Sequence, residues 1–309
     1  MKKFLKPHER EHILGTVYGW PMGLWFTLFF TVPLGIIILY SFLKRGLYGG
    51  VEWEFSLTAY RQMFNPSFGK VVLRTLWISI LSTFICIFLA IPCGYAMAKS
   101  KHQTFLLFLI IIPFWTNSLI RVYAWISILS TEGFINNLLI RMGIINQGLK
   151  LIYNNGAVVL VLIYMYLPFA ILPLFTTIDK FDFSLLDAAR DLGATKLEAI
   201  VKVMFPNIRS GLSTAFIFTF IPIFGAYAVP LLVGGKDSTM IGNIIVDQVS
   251  KTRNWPLASA FSMVLTLISL VGVFWMLYNG KREQHLQKKT TQQTLEHNIK
   301  SHHTHRGKA

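Results

Sequence analysis

The residues that most clearly suggest a mechanism lie in the polar segment 178–210, which contains five acidic and five basic side chains. Its apolar residues recur as on one face of a short amphipathic helix, namely Leu185, Leu186, Ala188, Ala189 and Leu192. Gly193 can adopt the positive φ that ends a helix, and Thr195 can cap a second helix that runs until Pro206. Two short helices that meet at a glycine predict a rigid lever, through which a cytoplasmic partner transmits force into the rest of the chain.

A second group of candidate residues lies in the apolar run 110–125, which reads IIIPFWTNSLIRVYAW. Pro113 removes a backbone hydrogen bond and kinks the helix, so we expect one helix to about 118 and another from about 119 to 130. Polar groups in an interrupted membrane helix are tolerated only beside a cavity or buried in protein. The candidate path-lining side chains are polar or aromatic: Trp115, Asn117, Ser118, Tyr123, Trp125 and Tyr227.

No residue pattern indicates catalysis or a metal site. Gly234-Gly235-Lys236 lacks the preceding glycine of a phosphate-binding loop, and no Ser/His/Asp, Cys/His or paired-carboxylate arrangement occurs in the apolar segments. Cys86 and Cys93 lie in one predicted helix, where we expect packing and no disulfide. The late histidines are typical of a solvated tail: His297, His302, His303 and His305. We therefore expect no enzyme activity, no metal and no cofactor.

The elements that must position the candidate residues are apolar helices. Only 14% of the 309 residues are charged, against about 25% in soluble domains. No Asp, Glu, Lys or Arg occurs in six intervals of 19 residues or more, which are 12–43, 75–98, 102–120, 151–178, 210–235 and 254–280. A helix needs about 20 apolar residues to cross a membrane. The chain is thus predicted to be an all-α, polytopic membrane helical bundle with six transmembrane helices, and not a soluble enzyme, a disordered chain or a disulfide scaffold.

The predicted organisation is a cytoplasmic N-terminal segment (1–14), a six-span domain (15–279) and a disordered basic cytoplasmic tail (280–309). The spans are expected at about 16–42, 72–98, from the 99–102 turn to 130, 156–177, 211–233 and 257–279. Prolines lie inside the fourth and fifth spans, and Gly225 also interrupts the fifth. Outer segment 131–155 has the apolar spacing of a short surface helix.

Both termini are expected on the cytoplasmic side of an inner membrane. Six spans put the two ends on the same side, and that side carries 18 Lys and Arg residues against ten on the other. Lys44 and Arg45 depart from this rule, because they follow the first span directly on the outside. The net charge of +15 therefore reflects topology beside membrane lipid, and we expect no nucleic-acid partner.

Acidic side chains near the predicted outer mouth are few. Glu132, Asp237 and Asp247 are the acids that we expect to meet an incoming cation there. Arg121 is a poor ligand for a cation, and we expect it to anchor at the interface or to pair with Glu132 or a partner chain. No carboxylate lies inside a span, so much of the counter-charge for a cationic solute must come from another protein.

Several segments of the chain resemble a known family. Asp187-Ala188-Ala189, three residues, Gly193, nine residues and then Val203-Met204-Phe205-Pro206 are similar to the EAA loop of permease subunits in binding-protein-dependent ABC importers. That loop reads Glu-Ala-Ala, three residues, Gly, nine residues, Ile, any residue, Leu, Pro, and the spacing agrees throughout. Asp187, Val203 and Phe205 stand for the usual Glu, Ile and Leu. PFWTNSLIRVYAW (113–125), LLDAARDLGA (185–194) and RNWP (253–256) resemble the polyamine branch of the family, and the resemblance extends over about 16–278.

The resemblance implies the type I ABC importer permease fold and the import of spermidine or putrescine. In such importers the EAA loop seats a coupling helix in a groove of an ATPase subunit. By resemblance, the contact residues here are Asp187, Ala188, Ala189, Gly193 and Pro206. The implied partners are a second permease subunit, an ABC ATPase dimer, which hydrolyses the ATP, and an extracytoplasmic polyamine-binding protein.

Three alternatives remain open at this stage. The cargo of such an importer could be another small solute, such as a metal complex or an organic anion. An ATP-independent channel or carrier would transport alone, although no Asp, Glu or His inside a span offers proton coupling. An integral-membrane enzyme is the least favoured, because no catalytic constellation is present.

Overall fold

The computed structural model describes residues 19–274 and 278, which fall into two compact units. Of the described residues, one unit comprises 19–71 and 244–266, and the other comprises 72–243, 267–274 and 278. The predictions for the N-terminal segment 1–14 and for the histidine-containing tail 280–309 lie outside the described residues.

The described part of the chain is predominantly helical. The elements up to the third span are α1 (Gly19–Ser41), β1 (Leu43–Arg45), β2 (Val51–Phe55), α2 (Thr58–Met63), α3 (Pro66–Ala98), α4 (Gln103–Ile111, then a 3-10 turn Ile112–Trp115), α5 (Ser118–Leu129) and α6 (Phe134–Arg141). Those that follow are α7 (Asn155–Asp179), α8 (Ser184–Asp191), α9 (Lys196–Asn207), α10 (Arg209–Phe224), α11 (Ala228–Val233), α12 (Ile241–Ser250) and α13 (Trp255–Phe274).

Four of these helices, α1, α3, α7 and α13, are long and apolar enough to cross a membrane. Two bent pairs bring the number to as many as six: Gln103–Trp115 with Ser118–Arg141, bent by 91°, and Lys196–Asn207 with Arg209–Phe224, bent by 71°. The predicted helical membrane bundle is confirmed, and the surface helix expected in 131–155 is α6.

Several predicted boundaries were wrong. Helix α3 begins at Pro66 instead of about 72 and runs through Pro92, and α7 stays continuous across Pro168 and Pro173. Neighbouring helices and local adjustments compensate the bond that each proline removes, so a proline alone does not end a membrane helix. Helix α12 was not predicted within the outer segment 234–256.

The strands form a two-stranded antiparallel hairpin that the sequence analysis missed in segment 43–70. Lys44 Nζ lies 2.7 Å from a Glu54 carboxylate oxygen, and this hydrogen bond raises the pKa of Lys44 above its ordinary value. Arg45 donates to the Thr252 carbonyl at 2.7 Å. Both cations that departed from the charge rule therefore have partners within the first unit.

The hairpin turn is fixed to the loop before α13. Gly50 N–H donates to the Arg253 carbonyl at 2.8 Å, and Gly49 has a φ of +95° with Arg253 beside it. A Cβ on Gly49 would lie 2.6 Å from the Cβ of Arg253, whose own φ is +49°. This close approach requires glycine at position 49.

The core of the second unit consists of two apolar clusters around α7. One cluster joins α3, α5, α7 and α11 around the buried residues Ile78, Val122, Val161, Leu162 and Val233. The other joins α3, α7, α8, α9 and α10 around the buried residues Cys86, Leu174, Leu186, Met204 and Ala215. Because the second cluster includes α8 and α9, the polar segment 178–210 is packed onto the bundle and is not a loose loop.

Candidate functional site

Helices α8 and α9 meet at Gly193, as predicted, and residues 184–207 are called the coupling segment below. Gly193 has a φ of +92° and donates to the Arg190 carbonyl at 2.9 Å, which ends α8. The Thr195 hydroxyl accepts from the Glu198 N–H at 3.3 Å, and the Glu198 carboxylate accepts from the Thr195 N–H at 3.0 Å. This reciprocal capping box starts α9. The predicted roles of Gly193 and Thr195 in the local structure are confirmed.

Helix α9 continues past Pro206, where the sequence analysis had ended it. Residues Ile200–Met204 form a π turn, and Phe205 N–H donates to the Ile200 carbonyl five residues earlier. The wider turn accommodates the proline, and the helix ends at Asn207.

Most predicted coupling residues are at the surface of the described chain. The Asp187 side chain is 76% exposed and lies 3.9 Å from Arg190, one turn along the helix. Ala188, Gly193 and Pro206 are also exposed, whereas Ala189 is partly buried. A Cβ on Gly193 would meet nothing within 4 Å, so glycine is needed there for its backbone angle and not for space.

The predicted single apolar face of α8 was wrong. Leu186 is buried and Ala189 partly so, but Leu185 and Ala188 are exposed and Leu192 is 90% exposed. The side of α8 that packs into the second apolar cluster is narrow, since it consists of Leu186 and Ala189. Leu197 and Val201 of α9 are exposed like Leu192, and these three apolar side chains are called the exposed edge below.

Aromatic contacts tie the beginning of α8 to the end of α3. The rings of Tyr95 and Phe183 meet edge-on at 5.8 Å, and Lys99 Nζ lies 5.1 Å and 4.9 Å from their centroids. Gln103 Nε2 donates to Asp179 at 3.0 Å and so joins the start of α4 to the end of α7. These contacts join the residue before α8 to the end of α3, and the start of α4 to the end of α7.

The third span is broken, as expected, but the break lies at Thr116–Asn117 and not at 118–119. Asn117 caps α5, since its side-chain oxygen accepts from Leu119 N–H at 2.8 Å. The Asn117 side chain thus stabilises the start of a helix, which was not its predicted role.

The predicted path-lining side chains do not all come together. Trp115 and Tyr123 are 78% and 57% exposed and do not line a cavity with the others. Trp125 packs against Tyr164, with ring centroids 5.3 Å apart. Of the six predicted side chains, Ser118 and Tyr227 belong to the wall of one cavity in the described part of the chain.

This cavity has a volume of about 240 Å³ and lies where the third and fifth spans are interrupted. The fifth span stops at Phe224 and resumes at Ala228, which leaves Gly225–Tyr227 unwound. The cavity wall consists of Ser118, Leu119, Val122, Met165, Tyr166, Pro222, Gly225, Ala226, Tyr227, Ala228 and Val229. Met165 and Tyr166 of α7 were missed, because nothing in the local sequence of a continuous helix distinguishes them from packing residues.

Arg121 lies next to the cavity wall in sequence but does not line it. Its guanidinium lies over the Phe114 ring, and its Nε is buried without a hydrogen-bond partner among the described residues. No ion pair joins it to Glu132 within the described chain, so the predicted pairing with that residue was wrong.

The predicted outer acids differ in whether they form ion pairs. Asp247 is paired with Lys251 at 2.8 Å, whereas Glu132 and Asp237 form no ion pair with another described residue. Glu52 and Glu54 on the hairpin were not among the predicted acids, and both lie within ion-pair distance of Lys44, at 3.9 and 2.7 Å. Among the described residues no group of three or more His, Cys, Asp or Glu side chains could hold a metal ion.

Similarity to known proteins shows the family of the chain. Residues 82–284 match the family described as the binding-protein-dependent transport system inner membrane component. The chain belongs to this family. The matched range includes the coupling segment and both span breaks, and the predicted resemblance is confirmed.

Two relatives support the assignment over most of the chain. The spermidine/putrescine transport system permease protein PotB of Escherichia coli is 36% identical over 256 residues, which cover 82% of this chain and 92% of that protein. PotB of Haemophilus influenzae is 35% identical over 252 residues, which cover 81% and 88%. The prediction of a non-enzymatic permease subunit is confirmed by these relatives.

A solved structure shows the fold of the family. The chain superposes on a subunit of a bacterial ABC transporter involved in the import of the acidic polysaccharide alginate, with a TM-score of 0.71 and 17% identity. The superposition covers 89% of this chain and 96% of that one. This family member therefore has the fold of an ABC importer permease and is a multi-pass inner-membrane protein.

Proposed function

We propose that this chain is a permease subunit that moves polyamines such as spermidine and putrescine inward, driven by a partner ATPase. The observation that carries the proposal is the cavity at the two span breaks, which offers aromatic and backbone groups and no charged side chain in its wall. The names of the relatives support a polyamine as the cargo.

The electrostatics of the cavity suit an amine. Helix α10 ends at Phe224 beside the cavity, and the last carbonyls of a helix carry partial negative charge. The rings of Tyr166 and Tyr227 can each attract a cation by about 0.5–2 kcal/mol. The opposing positive end of α5 is partly offset, because Asn117 accepts from one of its first amides. A slender polycation can therefore be held weakly at several points, which permits release.

The coupling segment is the proposed docking surface for the ATPase dimer. The exposed edge of Leu192, Leu197 and Val201 supplies apolar area, and Asp187 and Gly193 lie beside it in the EAA pattern. In this proposal a second permease completes the path, a polyamine-binding protein delivers cargo to the outer segments, and both termini are cytoplasmic. The outer acids Glu132 and Asp237 would meet the arriving cation.

The test is uptake of labelled spermidine by the complete transporter in proteoliposomes, with and without ATP. ATP-dependent uptake that requires the binding protein is expected. Uptake by this chain alone would contradict the proposal in favour of a channel or carrier.

A residue-level test separates the cavity from the other aromatic candidates. Tyr227→Leu and Tyr166→Leu should raise the KM for spermidine several-fold, because each removes one ring from the cavity wall. Tyr123→Leu is the matched control, since Tyr123 does not line the cavity. An equal rise in KM for all three variants would argue against this cavity as the cargo site.

One observation favours a second candidate cargo. The guanidinium of Arg121, whose Nε is buried without a hydrogen-bond partner among the described residues, would attract an organic anion and repel an amine. Competition by unlabelled spermidine, putrescine and small carboxylates against the labelled cargo distinguishes the two. Inhibition by carboxylates alone would assign the transporter to anions.

A further inference from the structure

The segment that follows the fifth span packs against the break in that span. Met240, Ile241 and Asn243 are 0%, 3% and 6% exposed, although the sequence places them in a connection between spans. Ile241 N–H donates to the Thr75 hydroxyl of α3 at 3.0 Å. Residues 240–243 are therefore a buried, hydrogen-bonded part of the second unit and not a surface loop.

The side chain of Asn243 bonds to the unwound backbone directly. Its Nδ2 donates to the Tyr227 carbonyl at 2.8 Å, and its Oδ1 accepts from the Met240 N–H at 3.0 Å. The same Tyr227 carbonyl also accepts from Leu231 N–H at 3.0 Å, the first bond of α11. Asn243 thus joins the start of its own helix to the point where the fifth span resumes.

Gly242 lets the segment approach the break this closely. A Cβ at this position would lie 2.7 Å from the Ala226 carbonyl oxygen and 2.8 Å from that of Gly225. Real Cβ atoms do not approach backbone oxygens so closely, so any larger residue would push the segment away from the unwound turn. The glycine and the asparagine therefore act on the same three residues, 225–227.

We infer that Asn243 is a positioning residue that holds Gly225–Tyr227 unwound and keeps Tyr227 at the cavity. Gly242 permits the close approach that this requires. An interrupted helix in an apolar environment is unfavourable unless its freed polar groups are satisfied by the surroundings. The Tyr227 carbonyl already accepts from Leu231 N–H, and Asn243 adds a second donor from another element, which fixes the position where the span resumes. The inference rests on the proposed function for the identity of the cargo. The contacts of Asn243 and Gly242 with residues 225–227 do not depend on that function.

The test compares Asn243→Asp with Asn136→Asp in the complete transporter, with labelled spermidine as the cargo. Both substitutions conserve shape and replace a donor amide by an oxygen. Asn136 is equally buried and bonded, since its Nδ2 donates to the Ser130 and Leu149 carbonyls at 3.0 and 2.9 Å, but it does not line the cavity. It therefore reports the cost of a lost buried hydrogen bond away from the break.

Asn243→Asp is expected to raise the KM for spermidine about tenfold, the factor that corresponds to the loss of one ordinary hydrogen bond. Asn136→Asp is expected to lower thermal stability and to leave KM unchanged. If Asn243→Asp does not assemble, Asn243→Ala, which removes the donor without adding charge, should give the same rise in KM.

Two results would overturn the inference. The first is a wild-type KM in assembled Asn243 variants, and the second is an equal rise in KM for the Asn136 variant. Absence of spermidine uptake by the wild-type transporter is a distinct result, which overturns the proposed cargo. Normal wild-type uptake with unchanged variant KM overturns only the positioning role.

Discussion

The guanidinium carbon of Arg121 lies 4.9 Å from the centre of the Phe114 ring, across the break in the third span. Phe114 belongs to the 3-10 turn before the break and Arg121 to the helix after it. The Phe114 ring also meets Phe169 edge-on at 5.5 Å. The contact is a cation–π interaction that joins two segments bent by 91°.

The first prediction concerns this contact. Phe114→Leu and Arg121→Met should each destabilise the purified protein, and the two effects should not add, because both remove the same interaction. A double-mutant cycle on thermal unfolding should give a coupling energy of about 0.5–2 kcal/mol. Strict additivity would show that the ring does not stabilise the cation.

The second prediction compares two glycines that both have a positive φ. Gly193 and Gly143 have φ values of +92° and +70°, and a Cβ on either would meet nothing within 4 Å. Gly193→Ala and Gly143→Ala should therefore each cost about 1–2 kcal/mol of stability through backbone strain alone. Only Gly193→Ala should weaken association with the ATPase, measured by co-purification. Equal association by the two variants would contradict a docking role for the coupling segment.

The third prediction separates the cost of backbone strain from the cost of a steric clash in the hairpin turn. Gly49 and Gly50 both have positive φ, but only a Cβ on Gly49 would collide with Arg253. Gly49→Ala should be more destabilising than Gly50→Ala by about 1–3 kcal/mol, the usual cost of overpacking. Limited proteolysis of the hairpin would detect the difference. Equal cleavage rates would indicate that the turn is not held against the loop before α13.

The fourth prediction concerns pH and the start of α8. Hydrogen bonds from the Ser184 hydroxyl and backbone N–H lower the pKa of Asp182 below its ordinary value. A lowered pKa means that this carboxylate stabilises the folded chain above its ordinary pKa and that the contribution is lost as the pH falls through the lowered one.

Hydrogen exchange at the start of α8, corrected for intrinsic rates, should therefore speed up between about pH 5 and pH 3 in the wild type. Asp182→Asn should show no such change, because the amide does not titrate. The same acceleration in both proteins would assign the effect to another group.

The spans and the coupling segment were predictable because their signals are local. A charge-free interval of sufficient length is enough to indicate a span, and Gly193 and Thr195 have intrinsic preferences that no neighbour overrides. The hairpin was missed because its stability depends on Thr252 and Arg253, about two hundred residues away.

The cavity was only partly predictable for the same reason. Ser118 and Tyr227 were identified because they adjoin interruptions that the sequence displays, whereas Tyr166 lies in an uninterrupted helix. Asn117 shows a different limit, since its place in an apolar run suggested a path-lining role and did not reveal that its side chain caps α5. Which polar residue faces a cavity depends on helix packing, which local sequence does not encode.

The close packing of α3, α7 and α10 has a consequence for how the protein deforms. A Cβ on Gly94 of α3 would lie 3.3 Å from both Phe175 N and Ile178 Cδ1, and a Cβ on Gly211 of α10 would collide with Thr177. Both glycines thus meet the same last turns of α7, next to the coupling segment, and leave no room for sliding at that end. We expect a displacement of that end to be taken up where the third and fifth spans are interrupted, at 116–117 and 225–227. Both interruptions adjoin residues that line the cavity.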